Sequence, residues 1–345
     1  MSTADTGTPT SPQTPQDRLP PGGPDLERAV ELALRAPSVH NTQPWRWRIG
    51  RDHVELHADR NRQLVGTDPD GRDLMISCGA ALHHLRVALA GLGAATDVER
   101  LPDPEDRDHL ATVRTRTGPP DRTEAALFGQ LGRRHTDRRP FSSRPVPPAT
   151  LSALGERAAK LGASLHPIID AQARQRLETV LAEAAARQPY IFGYPAELAI
   201  WTRRYAGARD GVPPSALPGP GARAEGPGLR RFPTGRLTAP QDVDPNDDAG
   251  VLMVLTTPRD DELDRLRAGE ATSAVLLAAT RSGLASVPLS QSLEVVATRE
   301  QLRRDVLGVP DEPQLVIRVG WAREGAAALA ETPRRRLTSV LLPGR

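Results

Sequence analysis

The chain has 345 residues, 45 Lys+Arg against 43 Asp+Glu, a formal net charge of +2 and one cysteine. Such a balance argues against a nucleic-acid-binding surface, and the lone thiol, Cys78, excludes an internal disulfide or a cysteine-rich metal cluster. With 38% hydrophobic and 26% charged residues the composition fits a water-soluble globular chain, and the length suggests two structural units.

Lys160 is the only lysine, so arginine is the default cation and a single arginine is weak evidence for anion binding. Residues 1–24 are rich in Thr, Pro and Gly and lack the basic and apolar regions of a secretory signal. They read as a disordered leader, and a cytoplasmic location is expected. No uninterrupted apolar run reaches the roughly 18 residues of a membrane span, so no membrane partner is expected.

Residues 25–36 have helical apolar spacing, with Asp25 as N-cap, and Pro37 stops them. Strands follow at 44–50 and 53–58, the first alternating Trp45, Trp47 and Ile49 with arginines. A helix is expected over 70–92, with Gly93 past its end, then strands at 95–100 and 109–116. Further helices are expected at 121–132, 148–161, 170–187 and 189–206, with a strand at 163–169. The last third holds a strand at 250–257, a helix at 260–282, a short helix at 298–307 and the strand "PQLVIRVGW". Between them, residues 206–248 are dense in Gly and Pro. A loop of this length inside a compact domain reads as a lid or a disordered insertion, and Trp201, Phe232 and Leu237 could anchor a lid.

The stretch "RAPSVHNTQPWRWRI" (35–49) puts a hydroxyl and two carboxamides on one turn, with Trp45 pinning it to a core. Ser and Asn are ordinary turn formers, but carboxamides both donate and accept and suit a heteroaromatic edge. No H-E-x-x-H spacing marks a metal, and no G-x-G-x-x-G follows a strand, so neither a resident metal nor a dinucleotide domain is expected. His83 and His84 read as packing or surface residues and Cys78 as a small buried one. His40 could serve turn geometry or ligand contact as well as proton transfer.

"APSVHNTQPW" resembles the flavin-contact motif of the nitroreductase superfamily, in the version found in the Acg family of FMN-binding oxidoreductases. "RRHTDRRPF" (133–141) resembles that superfamily's Arg-rich opening, "SVPLSQ" (286–291) its segment beside the flavin N5, and "TPRRRL" (332–337) its C-terminal basic contact. The resemblance implies an α+β nitroreductase-like fold with FMN as cofactor. It implies hydride transfer from NAD(P)H to a small acceptor such as a nitroaromatic or quinone, without a catalytic side chain. It places Arg133, Arg134, Thr136 and Arg138 in a phosphate cradle with Arg334 and Arg335. Pro37, Ser38, Asn41 and Gln43 would address ribityl and ring groups, and Leu289 or Ser290 would offer a backbone N–H.

The two motif sets fall in different halves. Residues 25–120 carry the polar turn without an arginine pair, and 121–345 carry the arginines without the polar turn. The expectation is therefore two fused nitroreductase-like units, an intrachain pseudo-dimer with one composite FMN site, either monomeric or a weak homodimer. The alternative is an FMN-binding or sequestering protein whose site the 206–248 loop covers.

Overall fold

The computed structural model describes residues 25–218, 230, 235–237 and 247–343. The expected leader, Phe232 and most of the 206–248 loop therefore lie outside the described residues.

In the first half, α1 (Leu26–Ala33) leads through the 35–44 turn into β1 (Trp45–Ile49) and β2 (His53–Ala58). Helix α2 (Arg72–Gly91) follows, then β3 (Ala95–Arg100) and β4 (His109–Arg116). These strands form one antiparallel sheet in the order β1-β2-β4-β3. The expected 121–132 helix is broken into α3 (Arg122–Ala125) and a single 3₁₀ turn at Phe128–Gln130. Two glycines, Gly129 and Gly132, weaken any longer helix there.

The second half repeats the plan. Helix α4 (Pro148–Ala159) leads to β5 (Ser164–Pro167), and α5 (Ala171–Arg187) and α6 (Tyr194–Thr202) intervene before β6 (Val251–Thr257). Helix α7 (Glu262–Arg281) follows, then β7 (Ala285–Leu289), α8 (Gln291–Glu294), α9 (Val296–Gln301) and β8 (Glu312–Gly320). The second sheet has the order β5-β6-β8-β7, again antiparallel. Strand β7 was not foreseen, because Pro288 sits inside it; it lies at the sheet edge, where the missing N–H is tolerated. The expected 189–206 helix is confined to α6, since Gly193 at φ 83° separates it from the Gln188–Tyr190 turn.

Helices α2 and α7 are the spine. Each has 20 residues, and they cross where neither has a side chain. A Cβ on Gly79 would stand 2.0 Å from the Leu266 carbonyl oxygen, and one on Gly269 would stand 2.1 Å from that of Ile76. The contact is reciprocal, as across a twofold interface. Each helix ends on a left-handed glycine, Gly93 at φ 89° and Gly283 at φ 79°, at the turn into its next strand. By length and apolarity α2 could span a membrane, but 89% of that stretch is buried inside the protein.

His83 and His84 are fully buried against α7, where both share the Ser273 hydroxyl at 2.7 and 2.8 Å. His83 also meets the Glu124 carboxylate at 2.9 Å, which ties α3 to the spine. Burial alone would raise the Glu124 pKa; the nearby His83 and Arg86 overcome it and hold it at about 2. A carboxyl depressed on folding adds stability above its ordinary titration range and loses it as pH falls toward the folded value. Glu124→Gln is expected to destabilise the fold at pH 7 and to flatten its acid lability between about pH 4.5 and 2. Thermal melts across that range would read this out.

Cys78 is buried with its thiol donating to the Pro44 carbonyl at 3.2 Å, and burial pushes its pKa up. It should react with thiol reagents only after unfolding.

Candidate functional site

The 35–44 turn is held in an unusual backbone form. His40, Asn41 and Gln43 have φ of 45°, 55° and 51°, left-handed values that cost energy for residues bearing Cβ. Their side chains supply the compensation. Asn41 Nδ2 donates to the Gly211 and Pro333 carbonyls at 2.9 and 3.0 Å. Gln43 Nε2 donates to the Arg209 carbonyl at 2.9 Å, and its Oε1 accepts the Arg335 backbone N–H at 2.8 Å. The turn is thereby stapled both to the 205–213 segment and to the C-terminal segment. The latter continues as a β-bridge between Trp47 and Leu341. Trp45 and Trp47 are fully buried and anchor β1 in the core, as the sequence implied.

Beneath this turn lies a cavity of about 700 Å³ between the two halves. Its first-half wall includes Pro37, Ser38, Val39, His40 and Asn41 from the turn, with Asp73, Ser77 and Ala80 from α2. Its second-half wall includes Arg134, Thr136 and Arg138, Thr272 from α7, and Pro288, Leu289, Ser290 and Gln291 after β7. Arg334 and Arg335 close it from the C-terminal segment, and Arg209, Val212, Ala216 and Arg230 from the long loop. The motif residues quoted from opposite halves therefore share one cavity.

Two expected residues do not reach it. Gln43 is fully buried behind the turn with its carboxamide engaged as above, and Arg133 is exposed and absent from the lining. The other arginines expected at a phosphate are placed as follows. Arg335 commits its guanidinium to the Gln43 and Ser339 carbonyls at 3.1 and 2.8 Å and to Asp59, so its charge braces the tail. Arg138 donates to the Ala216 carbonyl at 3.0 Å and lies in the field of Arg230.

The cationic cluster that does form is Arg35, Arg134 and Arg334. Arg134 is 7% exposed, and its Nε and Nη1 have no hydrogen-bond partner among the described residues; nor does Arg334 Nε. Glu331 pairs with Arg35 at 2.6 Å, leaving a positive surplus. Burial, aided by mutual repulsion, lowers the pKa of Arg134 to about 10 and that of Arg334 to about 9. Buried guanidinium donors without partners are costly, and a phosphate would satisfy them with charge-assisted bonds. The donor set thus fits a dianionic phosphate. The rest of the cavity, with apolar side chains beside hydroxyls and carboxamides, fits a flat heteroaromatic ring.

A second cationic group surrounds His40. Arg230 ion-pairs with Glu294 and approaches Tyr194 Oη at 3.1 Å and His40 Nε2 at 3.4 Å. Burial, with Arg230 and Arg138 nearby, holds the His40 pKa well below its usual value, so its imidazole is neutral at pH 7. Sequence reading missed Arg230, which sits in a Gly/Pro-rich stretch without periodicity. It missed Arg35 as well, although that residue directly precedes the polar turn.

Glu55, His57 and His109 also cluster, buried on the neighbouring strands β2 and β4. Their positions are set by register, His57 opposite His109, and the two imidazoles stack at 4.6 Å. Arg48 forms an ion pair with Glu55, which makes this a buried polar network centred on a cation.

The two antiparallel sheets, the helical spine packed between them and the arginine-lined cavity define an α+β protein with one large polar pocket at the junction of the sheets. The chain belongs to the nitroreductase family. It is 44% identical over 321 residues to "Putative NAD(P)H nitroreductase Rv3131" of Mycobacterium tuberculosis H37Rv, covering 93% of this chain and 92% of that one. It is 36% identical over 326 residues to "Putative NAD(P)H nitroreductase acg" of the same strain, covering 91% and 94%. The model of the nitroreductase family matches residues 237–321. The crystal structure of the FMN-dependent nitroreductase NfnB from Mycobacterium smegmatis in complex with NADPH shares 20% identity at a TM-score of 0.40, covering 64% of this chain and 98% of that one.

Proposed function

We propose that the protein is an FMN-dependent NAD(P)H oxidoreductase that passes hydride to a small acceptor such as a quinone or nitroaromatic. The observation that carries this is the set of partnerless guanidinium atoms on Arg134 and Arg334, two residues that line a cavity large enough for a flavin. Arg35, Arg134 and Arg334 would hold the FMN phosphate, with Thr136 and Ser38 beside them. Pro37, Asn41, Leu289 and Ser290 would flank the remainder. The flavin would supply the hydride chemistry; the protein would supply position and electrostatics.

On this reading the chain is an intrachain pseudo-dimer of residues 25–120 and 121–345, with one composite site. The reciprocal Gly79–Gly269 crossing and the matching sheet orders support it. The C-terminal residues 331–343 would be an arm of the second unit laid over the first, as the Trp47–Leu341 bridge indicates.

A second reading is favoured by the loop. Arg209, Val212, Ala216 and Arg230 line the cavity, and Asn41 and Gln43 hydrogen-bond to its segment at Gly211 and Arg209. A site covered in this way would bind FMN without admitting NAD(P)H. Anaerobic titration of the FMN-loaded protein with NADH and NADPH separates the two. Bleaching of the flavin absorbance within a turnover time supports the enzyme, and a yellow protein that neither nucleotide bleaches supports the covered binder.

A further inference from the structure

We propose that Asp73 is the proton donor of the cavity, handing a proton to an oxygen of the acceptor being reduced there and being reloaded from solvent by way of Asp68. The inference rests on the oxidoreductase reading above and names the group that would complete its chemistry.

Asp73 stands in the first turn of α2, where an acid complements the helix dipole; that alone would explain its presence but not its surroundings. It is 6% exposed and lines the large cavity, and its Oδ2 has no hydrogen-bond partner among the described residues. The charged groups that act on it are Asp68 from the turn before α2, Glu294 from α8, and the arginines Arg72 and Arg230. Both arginines are already committed. Arg72 pairs with Asp260 and donates to the Pro313 carbonyl and Gln314 at 3.1 and 3.0 Å. Arg230 pairs with Glu294. Burial first, then repulsion from Asp68 and Glu294, raises the Asp73 pKa well above its ordinary value and so favours the protonated carboxyl that a donor needs.

A route for reloading is present. A second, small cavity of about 10 Å³ is lined by Asp68, Asp73 and Glu294 and extends to the exposed Asp70. That is space for about one water. Asp73 is the residue common to the linings of the two cavities. Asp68 lies between, with its Oδ2 accepting the Leu74 N–H at 2.8 Å; burial raises its pKa to about 6, within reach of solvent protons at neutral pH.

The proton balance leaves a role for such a group. Reducing a quinone by two electrons, or a nitro group to nitroso and water, consumes two electrons and two protons. A hydride originating on NAD(P)H carries both electrons and one proton. The second proton passes from the Asp73 carboxyl O–H to the acceptor oxygen, and the resulting carboxylate is reprotonated from solvent.

The test uses Asp73→Asn, which keeps shape and polarity. In the cofactor-free protein, carboxyl-labelled aspartate NMR should show a protonated side chain at pH 7 that is lost in the variant, and the thermal midpoint should hold or rise. The FMN-loaded proteins are then reduced with dithionite and mixed with benzoquinone or with ferricyanide, which takes electrons without a proton. Benzoquinone reduction by the variant should slow by about 100-fold, the lower range for a general acid, while the ferricyanide rate stays unchanged. The wild-type benzoquinone rate should fall as pH rises through the Asp73 titration, and the variant rate should not. Equal slowing with both acceptors, or a benzoquinone rate and pH profile matching wild type, overturns the proposal. A wild-type protein that takes up no flavin defeats the oxidoreductase reading, and the proposal with it, before any acceptor is added.

Discussion

Arg134→Met is expected to weaken FMN binding on the order of 10- to 100-fold while making the cofactor-free protein more stable. The first effect follows from losing a charge-assisted contact, about 1.5–3 kcal/mol, to the phosphate. The second follows from the guanidinium's position. Burial lowers its pKa from 12.5 to about 10, so the folded state disfavours the charged form. A cation whose pKa is depressed on folding costs stability at neutral pH, and the cost is relieved as pH rises from about 10 toward the unfolded value. The shift corresponds to at most about 3 kcal/mol, less where water in the cavity solvates the group. An apolar side chain of similar reach removes that cost. Thermal melts of the cofactor-free pair and flavin titrations by fluorescence quenching check both signs. A residue serving only the fold would lose stability on substitution and leave flavin affinity alone.

The largest stability effect is expected at the spine. Gly79→Ala and Gly269→Ala should each cost about 3 kcal/mol or more, because the new Cβ meets backbone that cannot swing aside. A Cβ on Gly79 would also stand 2.9 Å from Gly269 Cα, and one on Gly269 would stand 2.8 Å from Gly79 Cα. The reciprocity predicts similar losses for the two substitutions. It also predicts strong non-additivity, since both force apart the same pair of helices. Gly129→Ala is the control: its Cβ would meet nothing within 4 Å, and it should change stability little. Denaturant unfolding of the wild type, the three single variants and the Gly79→Ala/Gly269→Ala double variant measures this. Unequal losses at positions 79 and 269 would mean that the helices do not cross as equivalent units.

How much of this was legible beforehand depended on distance along the chain. The strand at 44–50 was readable from local alternation, and the structure places β1 there. The polar turn could be located because Pro37 ends a helix and tryptophans start a strand. The function of its amides was harder to read. Asn41 and Gln43 looked like ring-facing groups, yet their visible partners are the carbonyls of Gly211, Pro333 and Arg209, far away in sequence. Nothing local to residues 41–43 encodes those carbonyls. The arginine cluster shows the same limit. Arg133 and Arg134 are adjacent, and only the structure separates an exposed side chain from a buried one. Arg35, Arg230 and Asp73 carried no signal of their own, since each is typical of its local setting: a helix tail, a polar loop and a helix first turn.

The most direct test is the stoichiometry of tightly bound FMN in the whole protein. The composite-site account predicts about one FMN per chain. It further predicts that Arg134→Met from one half and Ser38→Val from the other each lower the affinity of that same single site. Two independent FMN sites per chain, or one that responds to substitutions in one half alone, would contradict it.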